Sequence, residues 1–90
     1  MQMNDLDAVM AMENAIYSHP WSRGNFSDSL NAGYSCWVME EAGTMLGYSV
    51  MMLVMDEAHL LNLSIARDFQ GKGFGGALLE KMMEVSGHFP

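Results

Sequence analysis

Four glycines within six residues mark the part of the chain whose composition best suits chemistry. Gly71, Gly73, Gly75 and Gly76 follow an apolar stretch and precede a helical pattern. Glycine leaves the main chain uncovered, and the first turn of a helix has unpaired N–H donors and a partial positive charge. Such a turn can hold an anion such as pyrophosphate without a basic side chain. The sequence therefore predicts a phosphate-binding turn here.

Three other interpretations of this turn have to be weighed. In a plain strand-to-helix loop the glycines would supply only positive φ angles, but four glycines exceed that need. A Walker A loop requires Ser or Thr after Gly-Lys, whereas Lys72 is followed by Gly73. Gly71, Gly73 and Gly76 satisfy G-x-G-x-x-G literally. A dinucleotide site, however, needs this turn at the start of a parallel sheet and an acidic residue about 20 positions later.

Two helices are predicted ahead of the turn. Between residues 6 and 17, apolar side chains recur at mostly helical spacing, and Asn4 can cap the first helix. Pro20 breaks this pattern, because it disfavours helical geometry at the preceding residue. Ser22 can then cap a second, shorter helix, for which Gly33 is the expected stop.

Three strands are predicted between the helices and the glycine turn. Residues 34–40, 45–55 and 59–65 are rich in apolar and aromatic side chains, and short polar breaks separate them. Breaks this short favour hairpins, so the strands should form an antiparallel meander.

A last helix should follow the turn, with apolar side chains between residues 77 and 85 and with Gly87 and Pro90 at its end. The predicted fold class is therefore α/β: two helices, a three-stranded antiparallel meander, then the glycine-rich turn and a helix. Nothing repeats and no linker is visible, so residues 1–90 are expected to form a single domain.

Composition narrows the range of partners. The chain has 90 residues and a formal net charge of -7, which disfavours nucleic acid as a partner. Its single cysteine, Cys36, lies in a strand-like stretch and is interpreted as a small buried hydrophobe. No zinc-type ligand spacing, leader or membrane-length apolar run is visible, so we expect no metal, no membrane and a cytoplasmic location.

The segment Gln70-Gly71-Lys72-Gly73-Phe74-Gly75 resembles the Q/R-x-x-G-x-G/A signature of the GNAT family of N-acetyltransferases. Upstream segments also resemble its ribosomal-protein-alanine N-acetyltransferase branch: Asp5-Leu6, Pro20-Trp21-Ser22, Phe26, Gly47-Tyr48, Asp56-Glu57-Ala58 and Asn62-Leu63-Ser64-Ile65. The resemblance covers nearly the whole chain. Two positions depart from it, since Arg67 stands where relatives often have proline and Gly76 where many have a basic residue.

This resemblance implies a partial GNAT fold and acetyl transfer from acetyl-CoA to a protein N-terminal amine, in this branch that of a ribosomal protein. It also implies the cofactor-binding residues. The main chain of Leu63, Ser64 and Ile65 would pair with the pantetheine arm. The pyrophosphate would be held by the amides of Gly71, Lys72, Gly73, Phe74, Gly75 and Gly76.

Catalytic residues are left unassigned. In the family a glutamate base and a tyrosine acid lie in elements that would follow residue 90, so the chain is expected to be truncated after the cofactor-binding helix and catalytically incomplete. Glu57 and His59 are interpreted as turn and strand residues, and the tyrosines and tryptophans as packing aromatics. The alternative is a non-catalytic module that binds coenzyme A or another subunit, with self-association through open sheet edges.

Overall fold

The structure is a computed structural model that describes residues 1–87, and its elements follow the predicted order. Its elements are α1 (Leu6–Ile16), α2 (Arg23–Asn31), β1 (Ser35–Glu41), β2 (Thr44–Val54), β3 (Glu57–Ile65) and α3 (Phe74–Ser86). The predicted α/β class and strand meander are thus confirmed. Pro90, expected near the end of the last helix, lies outside the described residues. None of the helices in residues 1–87 has both the length and the apolar character needed to span a membrane.

Local capping chemistry sets the helix ends. The Ser22 hydroxyl accepts a hydrogen bond from the Asn25 N–H at 3.1 Å, which confirms it as the cap of α2. Gly33, with φ of +80°, follows the end of that helix as predicted. The predicted cap of α1 at Asn4 is wrong, because a 3₁₀ turn over Met3–Asp5 precedes this helix and makes Asp5 its N-terminal cap residue.

The three strands form one antiparallel sheet in the order β1-β2-β3. Two tight turns connect them, and the first contains Ala42 and Gly43 at φ of +52° and +81°. A register shift between Val50 and Met51 interrupts the pairing of β2 with β3. Among the described residues no strand pairs with the outer side of β3. This strand is therefore an edge, and it leads directly into the glycine turn.

Helices cover both faces of the sheet. Residues of β2 alternate between these faces, as a strand requires. Tyr48 and Val50 are buried against α1 and α2, in a cluster that also contains Leu6, Val9 and Phe26. Met51 points to the other face, where it packs with the α3 side chains Leu78 and Met82. The sheet thereby holds α3, and with it the glycine turn, in a defined position beside the end of β3.

Candidate functional site

The glycine turn brings the main chain into α3 through two left-handed residues. Gly71 and Gly73 have φ of +76° and +86°, a region that side chains disfavour. Gly73 is the N-terminal cap residue of α3, and its carbonyl accepts the N–H of Ala77 at 3.1 Å. The helix begins at Phe74, three residues before the predicted apolar stretch. Gly75 and Gly76 consequently belong to its first turn.

Six successive amides of this turn have no hydrogen-bond partner within residues 1–87. Within residues 1–87, the N–H groups from Gly71 to Gly76 donate no hydrogen bond to another protein atom. A Cβ atom added at Gly71, Gly73 or Gly76 would meet no heavy atom within 4 Å, so the space in front of these residues is open. Unpaired amides at an open helix start can bind an anion.

Two aromatic rings and a lysine flank this amide cluster. The rings of Phe69 and Phe74 meet edge to face, with their centroids 6.1 Å apart. The ammonium of Lys72 lies 5.9 Å from the centroid of the Phe69 ring. A cation over an aromatic face gains electrostatic stabilisation. The lysine is thus held beside the turn, where its charge adds to the partial charge of the helix start.

The end of β3 presents main-chain groups on its open side. The Ala66 N–H donates to Leu46 O at 2.8 Å, and the Gln70 side chain donates to Ile65 O at 2.9 Å from the opposite side. Since N–H and C=O groups alternate in direction along a strand, Leu63 and Ile65 face outward. The Ser64 main chain instead faces β2. Of the three residues predicted to contact the pantetheine arm, only Leu63 and Ile65 therefore have main-chain groups available on the open side.

A buried carboxylate lies on the other face of the sheet. Glu13 is 2% exposed and accepts three hydrogen bonds. The donors are the Tyr48 hydroxyl at 2.5 Å, the Trp21 N–H at 2.9 Å and the Asn62 side-chain amide at 3.3 Å. Burial, together with the bond to Glu13, raises the pKa of Tyr48, which keeps its phenol protonated as a donor. The sequence signal for this network is a glutamate, Glu13, among the apolar side chains of the first predicted helix.

A chain of hydroxyls extends this network. The Ser64 hydroxyl donates to the Asn62 side-chain oxygen at 2.7 Å and lies 2.8 Å from the Tyr17 hydroxyl. Tyr17 and Tyr48, interpreted from the sequence as packing aromatics, thus also act as polar partners. The network borders a cavity of about 280 Å³. Its lining residues are Glu13, Tyr17, His19, Trp21, Leu61, Asn62 and Leu63.

Other candidate residues lie away from this region. Glu57 and His59 form an exposed pair, with 2.9 Å between Oε2 and Nε2, at the opposite end of β3 from the glycine turn. Burial raises the pKa of the Cys36 thiol, which disfavours the reactive thiolate. Nowhere in residues 1–87 do three or more His, Cys, Asp or Glu side chains gather as a metal site would require.

An edge strand, a glycine turn and a following helix together form an arrangement in which proteins can hold a phosphate group at a helix start. The sequence profile of the Acetyltransferase (GNAT) family matches residues 6–89. The chain therefore belongs to the GNAT family.

Individual relatives agree with this assignment. The chain is 30% identical over 84 residues to the [ribosomal protein bS18]-alanine N-acetyltransferase of Escherichia coli (strain K12), which covers 93% of the chain and 57% of the relative. It is 29% identical over 87 residues to the putative enzyme of the same name from Bacillus subtilis (strain 168), covering 94% and 58%. The chain thus spans little more than half the length of these curated relatives.

Solved structures place the fold in the same group. The crystal structure of the ribosomal-protein-S18-alanine N-acetyltransferase from Escherichia coli superposes with a TM-score of 0.86 at 29% identity, over 94% of this chain and 55% of that one. GphF, a GNAT-like decarboxylase solved in complex with isobutyryl-CoA, gives 0.81 at 19% identity over 93% and 55%. The latter likeness is one of fold alone.

Proposed function

We propose that the chain contains the acetyl-CoA-binding part of a cytoplasmic N-acetyltransferase that modifies a protein N-terminal amine, of the ribosomal-protein-alanine type. The observation that supports this most directly is the set of unpaired amides from Gly71 to Gly76. A pyrophosphate at the start of α3 would satisfy them, and the glycines leave room for its close approach. The relatives named for alanine acetylation support the choice of acceptor.

The pantetheine arm would run from this turn along the open edge of β3. Its amide groups would pair with the outward main chain of Leu63 and Ile65, as an added strand does. The Ile65 carbonyl is already bound by Gln70, which leaves its N–H and the Leu63 groups for the ligand. Lys72 would supply a positive charge to the phosphates. The acetyl group would then lie near Leu63, at the rim of the cavity beside Glu13.

That cavity would receive the acceptor. The ion pairs among the described residues are Arg23 with Asp7 and Glu57 with His59, so the Glu13 carboxylate is held by neutral donors. A carboxylate without a cationic partner makes a cavity attractive to an amine. Transfer would then follow direct attack: the amine nitrogen bonds to the thioester carbonyl carbon, the C–S bond breaks, and the amine loses a proton while the thiolate gains one.

Calorimetry with acetyl-CoA tests the cofactor site. Gly73→Asp places a carboxylate beside the pyrophosphate and should abolish binding, whereas Cys36→Ser should bind like the parent. Gly73→Asn is the matched control, because asparagine has the shape of aspartate, tolerates the left-handed region and lacks the charge. Equal binding by Gly73→Asp and the parent would refute the site.

Mass spectrometry of an alanine-starting peptide incubated with the chain and acetyl-CoA tests the transfer. A mass gain of one acetyl group on the peptide supports the enzyme. Binding without turnover supports the alternative, a non-catalytic module that binds coenzyme A or another subunit. The edge of β3, which no strand of the described residues covers, favours this alternative, because two copies could pair through it.

A further inference from the structure

The Glu13 carboxylate holds three different elements together. Trp21 belongs to the loop between α1 and α2, Tyr48 to β2 and Asn62 to β3, and each donates to this one side chain. A buried carboxylate is costly unless hydrogen bonds compensate for the lost water. Here both oxygens are used, because Oε1 accepts from Tyr48 and Asn62 and Oε2 from Trp21.

The loop after α1 depends on this carboxylate for its position. Residues 18–21 are not part of a helix or strand. Ser18 and His19 bond to each other, at 3.2 Å between their side chains. Among the described residues, the bond from the Trp21 N–H to Glu13 is the hydrogen bond that ties this stretch to the rest of the protein. The Trp21 ring then packs on Phe26, with centroids 5.0 Å apart.

The same network reaches the strand on which the cofactor is proposed to lie. Asn62 contacts Glu13 through its amide and Ser64 through its oxygen, and Ser64 in turn contacts Tyr17. Four of the residues that line the cavity therefore belong to one connected set of hydrogen bonds. Polar networks that are fully satisfied specify one arrangement of their members. The cavity is thus shaped before any ligand enters.

We propose that Glu13 is a positioning residue for the acceptor: its carboxylate fixes the loop at Trp21 and the Asn62 side chain, and so presets the cavity for a peptide N-terminus. This inference rests on the proposed function. It separates two roles within the molecule, since the glycine turn would determine affinity for acetyl-CoA while Glu13 would determine affinity for the acceptor.

Glu13→Gln provides the test, because glutamine keeps the shape but replaces one accepting oxygen with a donor. We expect the affinity for an alanine-starting peptide, measured by calorimetry with coenzyme A present, to fall about tenfold or more. Affinity for acetyl-CoA should stay within about twofold of the parent. Leu6→Ala is the matched control: it removes a buried apolar side chain at the start of α1, lowers the unfolding midpoint and leaves the hydrogen bonds of Glu13 and the peptide affinity in place.

Amide hydrogen exchange supplies a second measurement that needs no variant to fold. In the parent, the Trp21 amide should exchange at least about tenfold more slowly than those of Ser18 and His19 in the same loop. Exchange at Trp21 as fast as at its neighbours would overturn the proposal. An unchanged peptide affinity in Glu13→Gln would also overturn it. The same holds if peptide affinity falls in both Glu13→Gln and the control variant in proportion to their losses of stability.

Failure of the proposed function and failure of the positioning role of Glu13 give different experimental results. A parent chain that binds acetyl-CoA but no alanine-starting peptide would contradict the proposed acceptor and, with it, the positioning role. A parent that binds both ligands, and whose Glu13→Gln variant keeps the peptide affinity, would contradict the positioning role alone. A parent that binds neither ligand, with a protected Trp21 amide, would contradict the proposed function while Glu13 would still be shown to fix the loop.

Discussion

Two regions of this molecule treat polar groups in opposite ways. At the glycine turn the amides from Gly71 to Gly76 have no hydrogen-bond partner within residues 1–87, and the space beside Gly71, Gly73 and Gly76 is open. Around Glu13, on the other face of the sheet, both carboxylate oxygens are hydrogen-bonded, and residues 1–87 contain no buried side-chain N or O atom without a partner. The unpaired amides are free to bind a ligand, whereas the hydrogen bonds around Glu13 mainly fix a shape.

The two regions also differ in their cost to stability, because one leaves its polar groups unpaired and the other pairs them. Water or an anion can satisfy the exposed amides of the turn, so their exposure costs the folded state little. The Glu13 carboxylate and the Tyr48 phenol are buried, so each depends on protein partners in place of water. Substitutions at the turn should therefore affect ligand binding, and substitutions in the network should affect stability.

Removal of the carboxylate should have the largest effect. Glu13→Ala leaves the Tyr48 hydroxyl, the Trp21 N–H and the Asn62 amide without their acceptor, and should lower the free energy of unfolding by about 3–5 kcal/mol. Asn14→Ala, on the exposed side of the same helix, should change it by about 0.5 kcal/mol or less. Urea unfolding measures both. Similar losses of unfolding free energy in the two variants would show that the Glu13 network contributes no more to stability than an exposed side chain does.

Gly47→Ala should have the next largest effect. A Cβ atom there would lie 2.6 Å from the Ser64 main-chain oxygen and 2.5 Å from Ile65 Cδ1. The side-chain end can move but the carbonyl in the sheet cannot, so we expect a loss of about 1–3 kcal/mol in unfolding free energy. Because β3 would shift, acetyl-CoA affinity should also fall.

Gly24→Ala is the control for this substitution. Its nearest neighbour would be Ser22 Oγ at 3.6 Å, an ordinary contact, and alanine favours the helix by up to about 1 kcal/mol. If the destabilised Gly47→Ala chain binds acetyl-CoA as tightly as the parent does, then the edge of β3 does not contribute to the cofactor site, contrary to our expectation.

The pH dependence of stability should reveal the Tyr48 bond. Burial and the hydrogen bond to Glu13 raise the pKa of Tyr48 from its ordinary value of 10.0, so the folded state keeps a proton that the unfolded state releases. Stability from this group is therefore present below about pH 10 and is lost as the pH rises above it, by at most about 1.4 kcal/mol per pH unit. Urea unfolding between about pH 9 and about pH 11 should show a shallower decline for Tyr48→Phe. Parallel curves would argue against a protonated, paired phenol.

The smallest effects should come from two glycines of the turn itself. Gly73 and Gly76 both face open space, but only Gly73 has a positive φ. Gly73→Ala should cost about 1 kcal/mol of stability, whereas Gly76→Ala should add up to about 1 kcal/mol as a helical residue. Thermal unfolding of the two variants isolates the effect of backbone conformation. Equal shifts of the unfolding midpoint in the two variants would mean that the turn can change its backbone conformation at Gly73 without cost.

Local sequence predicted the elements well because their signals are local. Ser22 caps α2 through its own side chain, and Gly33 and Gly87 end helices with the positive φ that glycine permits. The start of α1 was missed, since the 3₁₀ turn at Met3–Asp5 competes with capping by Asn4. The first turn of α3, from Phe74, consists of phenylalanine and glycine rather than strong helix formers, so the apolar pattern of residues 77–85 does not by itself define the start of this helix.

Sequence alone thus determined the element order, the meander, the glycine turn and the family, since each of these depends on residues close together in the chain. Only the tertiary structure decided that Glu13 meets Tyr48 and Asn62, which lie 35 and 49 positions away. It also decided that Leu63 and Ile65, rather than Ser64, turn their main chain outward. Burial and strand register are properties of the assembled sheet, and no spacing along the chain encodes them directly.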